Sequence, residues 1–355
     1  MQEKVLIALS GGVDSSVAAL LIKEQGYTCH GATMKLFDAS LEGIVQKCGA
    51  LEEIQNAEAI AQKLNMPFSV ADVSLAFQEE IMTYFVRIYL AGGTPNPCVE
   101  CNRTMKFGRL LEFAKELGCD RLATGHYARI VKDDTTGRFL LKTAADATKD
   151  QTYVLWSLSQ EQLSRTLFPL GDLTKTEVRQ IAEQNGFCNA QRRDSQDICF
   201  VPDGDYAAFI KRFTGEDFPI GQFLDLDGNP LGEHQGMIHY TVGQRKGLGI
   251  AFGKPTYVCS KDAEKNTVTL GGNEDLFSHV LTAHSVNLIS VERISSPMRV
   301  EAKIRYKASP APATAEQTED GKLRVTFDEA QRAICPGQSV VLYDGDTVVG
   351  GGIID

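Results

Sequence analysis

The chain of 355 residues is 43% apolar and 23% charged, the composition of a globular protein in water, and it is too long for one hydrophobic core, so two or three domains are expected. No apolar run approaches the ~20 residues needed to span a bilayer, and the N-terminus enters a strand without a basic and apolar leader; a cytoplasmic protein without membrane contact is expected. A net charge of −10 argues against a general nucleic-acid binder, yet residues 101–150 carry 10 Lys/Arg against 7 Asp/Glu, leaving room for a locally basic face on a structured RNA.

In chain order, the apolar run 5–9 reads as a strand and 17–22 as a helix, and between them stands Ser10-Gly11-Gly12-Val13-Asp14-Ser15-Ser16. A strand-to-helix turn of small residues aims backbone N–H groups and a helix dipole at an anion. Gly11 and Gly12 leave room for a phosphate, the serines add hydroxyl donors, and Asp14 suits a divalent metal. The Walker lysine is missing, and a plain helix cap with a first-turn acid is the competing reading. Strand 28–36, helix 56–64 and strand 67–73 continue an alternation that predicts a parallel sheet with helices on both faces. Met34 falls near the carboxyl end of its strand, where ligands bind such sheets.

A helix over 77–90 precedes a Gly/Pro-broken loop, 91–103, that holds Asn96, Pro97, Cys98 and Cys101. An amphipathic segment, 107–117, then leads to a strand end with Gly125 and His126. Residues 149–185 read as helical, broken at 168–172 and restarting at Lys175; Trp156, in an apolar run, is expected in the core. Past Gly221 the texture becomes short β runs between Gly, Asp and Asn turns, and from about Leu281 alternating runs suggest a small β-barrel, with 308–313 as an extended loop.

Nine cysteines, odd in number and scattered, do not form a secreted disulfide framework. Cys29, Cys119 and Cys188 fit the role of small apolar residues. Cys98, Cys101 and Cys199 do not. A zinc site lacks a second ligand pair at comparable spacing, and a thioredoxin-like pair is disfavoured because the loop carries two prolines and does not obviously open a helix at its first Cys.

The loop at residues 10–15 resembles the SGGxDS loop of the PP-loop ATP pyrophosphatases. SGGVDS, NPCVECN, TGHYAR, KDQTYVLW, DSQDICF and GQRKGLG, in this order along nearly the whole chain, resemble the tRNA-specific 2-thiouridylases. That resemblance implies an α/β PP-loop domain over 1–204, a central mainly-β tRNA-contacting domain over 205–280 and a C-terminal β-barrel over 281–355. It implies ATP with Mg²⁺ held by Ala8, Leu9, Ser10, Gly11, Gly12, Val13, Asp14 and Ser15, with Met34 and Gly125 near the adenine or ribose. Cys101 matches the family's nucleophile and Cys199 its persulfide carrier, the two closing a disulfide after sulfur delivery. Asn96, Pro97 and Cys98 fall where the family contacts the target base, and His126, Lys149, Asp150, Gln151, Arg305, Tyr306 and Gln338 where it touches tRNA.

The implied activity is ATP-dependent 2-thiolation of the wobble uridine through an adenylated base, with a persulfide donor or relay protein and a reductant as partners. Cys98 stands where many members carry an Asp with an acid/base role, which leaves the proton-transfer residue open and admits an iron-sulfur centre on Cys98, Cys101 and Cys199. Ser195 and Asp197 flank the persulfide position and either orient it or lie in solvent; Arg192-Arg193 and Arg245-Lys246 are either phosphate contacts or solvated charges. The competing functions are a PP-loop ligase acting on a small molecule, a non-catalytic nucleotide or iron-sulfur carrier, and a persulfide relay.

Overall fold

The computed structural model describes residues 2–355 except 39–40, 42, 44, 46–49, 192–196 and 251–252. The first elements are β1 (Lys4–Ala8), α1 (Val13–Glu24), β2 (Thr28–Lys35), α2 (Ala50–Lys63) and β3 (Phe68–Asp72). Next, α3 (Ser74–Phe77), a π-helical turn and α4 (Thr83–Leu90) follow one another directly, as do α5 (Pro97–Cys101), the π-helical segment Asn102–Arg109 and α6 (Leu110–Glu116). Then come β4 (Arg121–Ala123), the hairpin β5 (Arg129–Lys132) and β6 (Phe139–Lys142), α7 (Gln160–Ser164), β7 (Thr166–Leu167) and α8 (Lys175–Gln184).

Five of these strands form a parallel sheet in the order β3-β2-β1-β4-β7. Val5, Leu6 and Ile7 are wholly buried, as a central strand covered by helices on both faces requires. The chain winds outward from β1 to β3 and returns on the far side of β1 as β4. The segments leaving β1 and β4 therefore diverge over a crevice at the carboxyl edge, the place where open α/β sheets bind ligands.

The expected helical stretch over 149–185 is only partly helical. Thr166 and Leu167 form β7, pairing with Leu122 and Ala123 at the sheet edge, and the free edge of β4 overrides local propensity. The expected Gly/Pro-broken loop is also shorter, since helix begins at Pro97.

The segment after residue 204 opens with α9 (Tyr206–Thr214), capped by Asp205 and ended by Gly215 at φ +72°. It continues as β8 (Gly221–Leu224), β9 (Pro230–His234), β10 (Tyr257–Asp262) and β11 (Thr267–Gly271), a sheet in the order β10-β11-β8-β9. Finally β12 (Phe277–Leu288), β13 (Met298–Lys303), β14 (Ala311–Gln317), β15 (Leu323–Arg332), β16 (Ser339–Asp344) and β17 (Thr347–Ile354) close into a barrel through the β12–β17 pairing. The hairpin β5–β6 joins the same sheet beside β17.

The barrel is fastened to the α/β part through the core. Trp156 is 2% exposed, as expected, and its Nε1 donates to Ser339 Oγ at 3.0 Å, while the Tyr153 hydroxyl donates to the Ser339 carbonyl at 2.8 Å. Asn287 Nδ2 donates to the Trp156 and Leu158 carbonyls at 2.8 and 3.0 Å. One apolar cluster runs from Leu6 and Phe77 through Tyr153 and Trp156 to Val341 and Val348. No helix among the described residues is long and apolar enough to cross a membrane.

Candidate active site

The crevice holds a cavity of about 1090 Å³. Into it come the loop after β1, the end of β2 with Met34, the α5 thiols, the segment after β4, residues 147–151, Cys199, and a wall of barrel residues that includes Lys303 and Tyr306.

The loop after β1 is shaped by its small residues. Gly11 sits at φ +73°, and a Cβ there would meet the Glu53 carbonyl at 3.0 Å. Ser15 Oγ accepts from the Ser10 N–H at 3.2 Å and donates to the Gly12 carbonyl at 3.0 Å, and Asn189 Nδ2 donates to the Gly11 carbonyl at 2.9 Å. Gly12 is the N-cap of α1, so the positive end of a 12-residue helix faces the cavity. Gly125 lies against this turn: a Cβ at 125 would sit 2.8 Å from both Asp14 C and Ser15 N.

Asp14 is already engaged. Lys175 Nζ, from the first turn of α8, lies 2.8 Å from each of its carboxylate oxygens, and the Tyr127 hydroxyl donates to Oδ1 at 2.8 Å. A lysine distant in sequence thus brings positive charge to the loop that lacks the Walker lysine.

On the other side, Pro97 occupies the first turn of α5, and Asn96 caps it by accepting from the Cys98 N–H at 3.2 Å. Cys101 then enters the π-helical segment, in which i→i+5 bonding closes a turn. Cys101 and Lys106, which α-helical spacing would rotate apart, therefore fall into adjoining turns on the cavity side. Burial pushes the Cys101 thiol up to about 11, opposed by the Lys106 charge and reinforced by Cys98 and Glu100. Burial also raises Cys98, which is exposed to solvent yet walled by the cavity, and Lys106 again opposes the shift.

Lys106 is held in turn by His126. Burial first, and the Lys106 charge second, hold that imidazole well below its ordinary range, so it is neutral near pH 7. Its Nε2 then accepts from Lys106 Nζ at 3.3 Å, and Nδ1–H donates to Thr124 Oγ1 at 2.7 Å, the tautomer assigned by this network.

Of the residues singled out in the sequence, Ala8, Leu9, Ser10, Gly12, Val13, Asp14, Ser15, Met34, Pro97, Cys98, Cys101, Gly125, His126, Lys149, Asp150, Gln151, Cys199 and Tyr306 meet around this one cavity, and Asp197 joins them. Gly11, Asn96, Arg305 and Gln338 do not line it. Gln338 Nε2 donates to the Thr94 carbonyl at 2.8 Å, fastening the loop ahead of α5 to the barrel, and Arg305 donates to the Ala333 carbonyl. Asp150 accepts from the Ala144 N–H at 3.0 Å and Thr152 Oγ1 at 2.6 Å, and Gln151 Oε1 from the Tyr127 N–H at 2.9 Å. These two side chains shape their own loop.

Arg245 and Lys246 are exposed, whereas Arg192, Arg193 and Ser195 lie outside the described residues. Among the described residues, no group of three or more His, Cys, Asp or Glu side chains is placed to hold a metal ion. Sequence reasoning missed Lys106, Lys175, Tyr127 and Lys303. Lys175 follows the Thr174 capping box, a legible helix start, but nothing in the sequence joins it to Asp14.

A family model described as the tRNA methyl transferase HUP domain matches residues 3–203, one described as its PRC-barrel domain matches 207–272, and an aminomethyltransferase beta-barrel domain matches 278–354. These matches and the fold define the class: an α/β HUP domain followed by two β units. Among similar proteins are the tRNA-specific 2-thiouridylases MnmA of Clostridioides difficile (strain 630), 50% identical over 100% of this chain and 99% of that one, and of Acetivibrio thermocellus, 50% identical over 99% of each. That of Heliobacterium modesticaldum is 49% identical over 100% of this chain and 93% of its own. The chain belongs to the tRNA-specific 2-thiouridylase family.

Proposed function

We propose that this chain replaces the 2-oxygen of the wobble uridine of tRNA with sulfur at the expense of ATP, releasing AMP and pyrophosphate. The observation that carries the reading is that Cys101, Cys199 and the glycine-serine loop line one cavity. Residues 8–15 suit ATP phosphates: the helix end is positive, and a side chain at Gly125 would displace the turn. ATP supplies the adenylyl group: the base 2-oxygen attacks the α-phosphorus, pyrophosphate leaves, and the oxygen so capped can depart from C2 as AMP. Both Asp14 oxygens are taken by Lys175, so a Mg²⁺ ion would be held chiefly by the nucleotide's phosphates, whose charge it would offset.

The uridine must leave the anticodon stack to reach two thiols, at a cost of a few kcal/mol that is least for an unpaired loop base. Pro97 and Cys98 border its place, with Asn96 behind them as the cap of their helix, and Met34 and Gly125 border that of the nucleoside. His126, Lys149, Asp150, Gln151, Arg305, Tyr306 and Gln338 form or support the surrounding tRNA contact. A persulfide on Cys199, loaded by a donor or relay protein, attacks C2 with its outer sulfur, and the C2–O bond breaks with AMP carrying away the former 2-oxygen. The Cys101 thiolate then attacks Cys199 Sγ, the S–S bond breaks with its electron pair on the sulfur now bound to C2, and a Cys101–Cys199 disulfide remains for a reductant. Residues 1–204 carry this chemistry, while 205–280 and 281–355 hold the tRNA. The cytoplasm, where tRNA, ATP and thiols meet, is the setting.

The test is transfer of labelled sulfur to unmodified tRNA by the purified protein with ATP, Mg²⁺ and a persulfide donor under anaerobic conditions. Thiouridine at the wobble position, lost in Cys101→Ser and in Cys199→Ser, is expected. ATP turnover without sulfur in tRNA, unchanged in Cys101→Ser, would point to a ligase instead.

A further inference from the structure

We propose that Cys98 and Cys101 form a dithiol–disulfide couple at the head of α5, which takes the disulfide off Cys199 after each sulfur transfer and passes it to an external dithiol. The inference rests on the thiolation reading above and adds to it a third working cysteine and a route for resetting the site.

Geometry is the first support. The objection raised by the C-x-x-C sequence, prolines and no helix at the first Cys, is removed by the fold: Pro97 is itself the first residue of α5, and Asn96 caps the Cys98 N–H. Cys98 and Cys101 are therefore three residues apart on one helical turn, where side chains share a face with Cβ atoms about 5–6 Å apart. Modest adjustment brings that spacing to the range a disulfide needs. Their thiols also act on each other electrostatically, since Cys98 is among the groups that raise Cys101.

Exposure is the second. Cys98 is exposed and Cys101 only partly so, and Cys199 is exposed on the same cavity. Cys98 is open to an incoming dithiol, and Cys101, the less exposed of the three, is the partner that Cys98 and Cys199 share in the exchange. Lys106 faces both α5 thiols and favours whichever is ionised.

The steps balance. The Cys98 thiolate attacks Cys101 Sγ, the Cys101–Cys199 bond breaks, and its electron pair leaves on Cys199 Sγ, which takes up the proton that Cys98 released. One disulfide forms and one breaks, with no net oxidation. The external dithiol then attacks Cys98 Sγ, and its second thiol resolves the mixed disulfide. Two electrons and two protons pass to Cys98 and Cys101, and the dithiol becomes a disulfide. Cys199 returns as a thiol, ready for its persulfide donor.

Full-length protein is equilibrated in mixtures of reduced and oxidised dithiothreitol, acid-quenched, alkylated and mapped by mass spectrometry. A Cys98–Cys101 bridged peptide is expected as the main oxidised species in the wild type and in Cys199→Ser, and Cys101–Cys199 should accumulate in Cys98→Asp. With tRNA, ATP, persulfide donor and limiting dithiol, the ratio of steady-state to first-turnover rate should fall at least tenfold in Cys98→Asp. A wild type that yields only Cys101–Cys199, or a Cys98→Asp variant with an unchanged ratio, overturns the proposal. The bridged peptide in protein that puts no sulfur into tRNA supports the couple and overturns the thiolation reading instead.

Discussion

At the scale of single residues, the site is governed by where positive charge is placed. Lys106 opposes the burial that lifts Cys101 to about 11, so the thiolate is a small fraction at neutral pH and grows about tenfold per pH unit below that value. Alkylation of Cys101 should rise with pH across 7–9 with unit slope. Lys106→Met should displace the profile to higher pH and slow sulfur transfer several-fold, as followed by iodoacetamide labelling and single-turnover assays; an unshifted profile would deny Lys106 this role. Lys175 is the second case. Lys175→Met leaves the Asp14 carboxylate, whose side chain is 30% exposed, without its ion pair. A stability loss of about 1–3 kcal/mol is expected, below the range for fully buried pairs because Asp14 keeps some solvent. Thermal melts should show that loss together with a weaker upward shift on adding ATP. Gly125→Ala thrusts a methyl group against the backbone of Asp14 and Ser15, so its melt should fall and its ATP-induced shift disappear.

At the scale of elements, local signals sufficed where strands and helices are continuous. The apolar run in β1, the small residues before α1 and the helix restart at Lys175 are legible in the sequence, and Met34 and Gly125 fall at or just past strand ends. The sequence misled where an element depends on its partner. Thr166 and Leu167 are too few to announce a strand and become one only against β4. The α5 helix was hidden because prolines read as breakers, although Pro97 at the first turn is a helix starter. The π-helical register that brings Lys106 toward Cys101 carries no compositional mark. Asn96→Ala should therefore loosen the first turn of α5, costing about 1 kcal/mol locally. The expected readout is faster Cys98 alkylation with the global melt little changed.

At the scale of the whole molecule, the barrel completes the wall of the cavity. Trp156 and Tyr153 donate into β16, and Lys303 and Tyr306 come from the barrel to the cavity wall. Heat should unfold the chain in one dominant transition by both calorimetry and tryptophan fluorescence, since the single Trp reports on this junction. Gln338 belongs to the same scale. Its hold on Thr94 fixes the loop entering α5, so Gln338→Ala should reduce the thiolation rate more than tRNA affinity. A loss confined to affinity would restore a direct RNA contact.

The ion pair between Asp14 and Lys175 also sets an order in time. The loop after β1 is made before its cation, which follows 161 residues later. At about 5–20 residues per second that interval is roughly 8–32 s. A nascent chain carries the glycine-serine turn through most of that period with its acid unmatched and β7 not yet made. The turn and its cation are therefore complete only after α8 has emerged, and the thiols gain their last wall later still, when the barrel strands arrive.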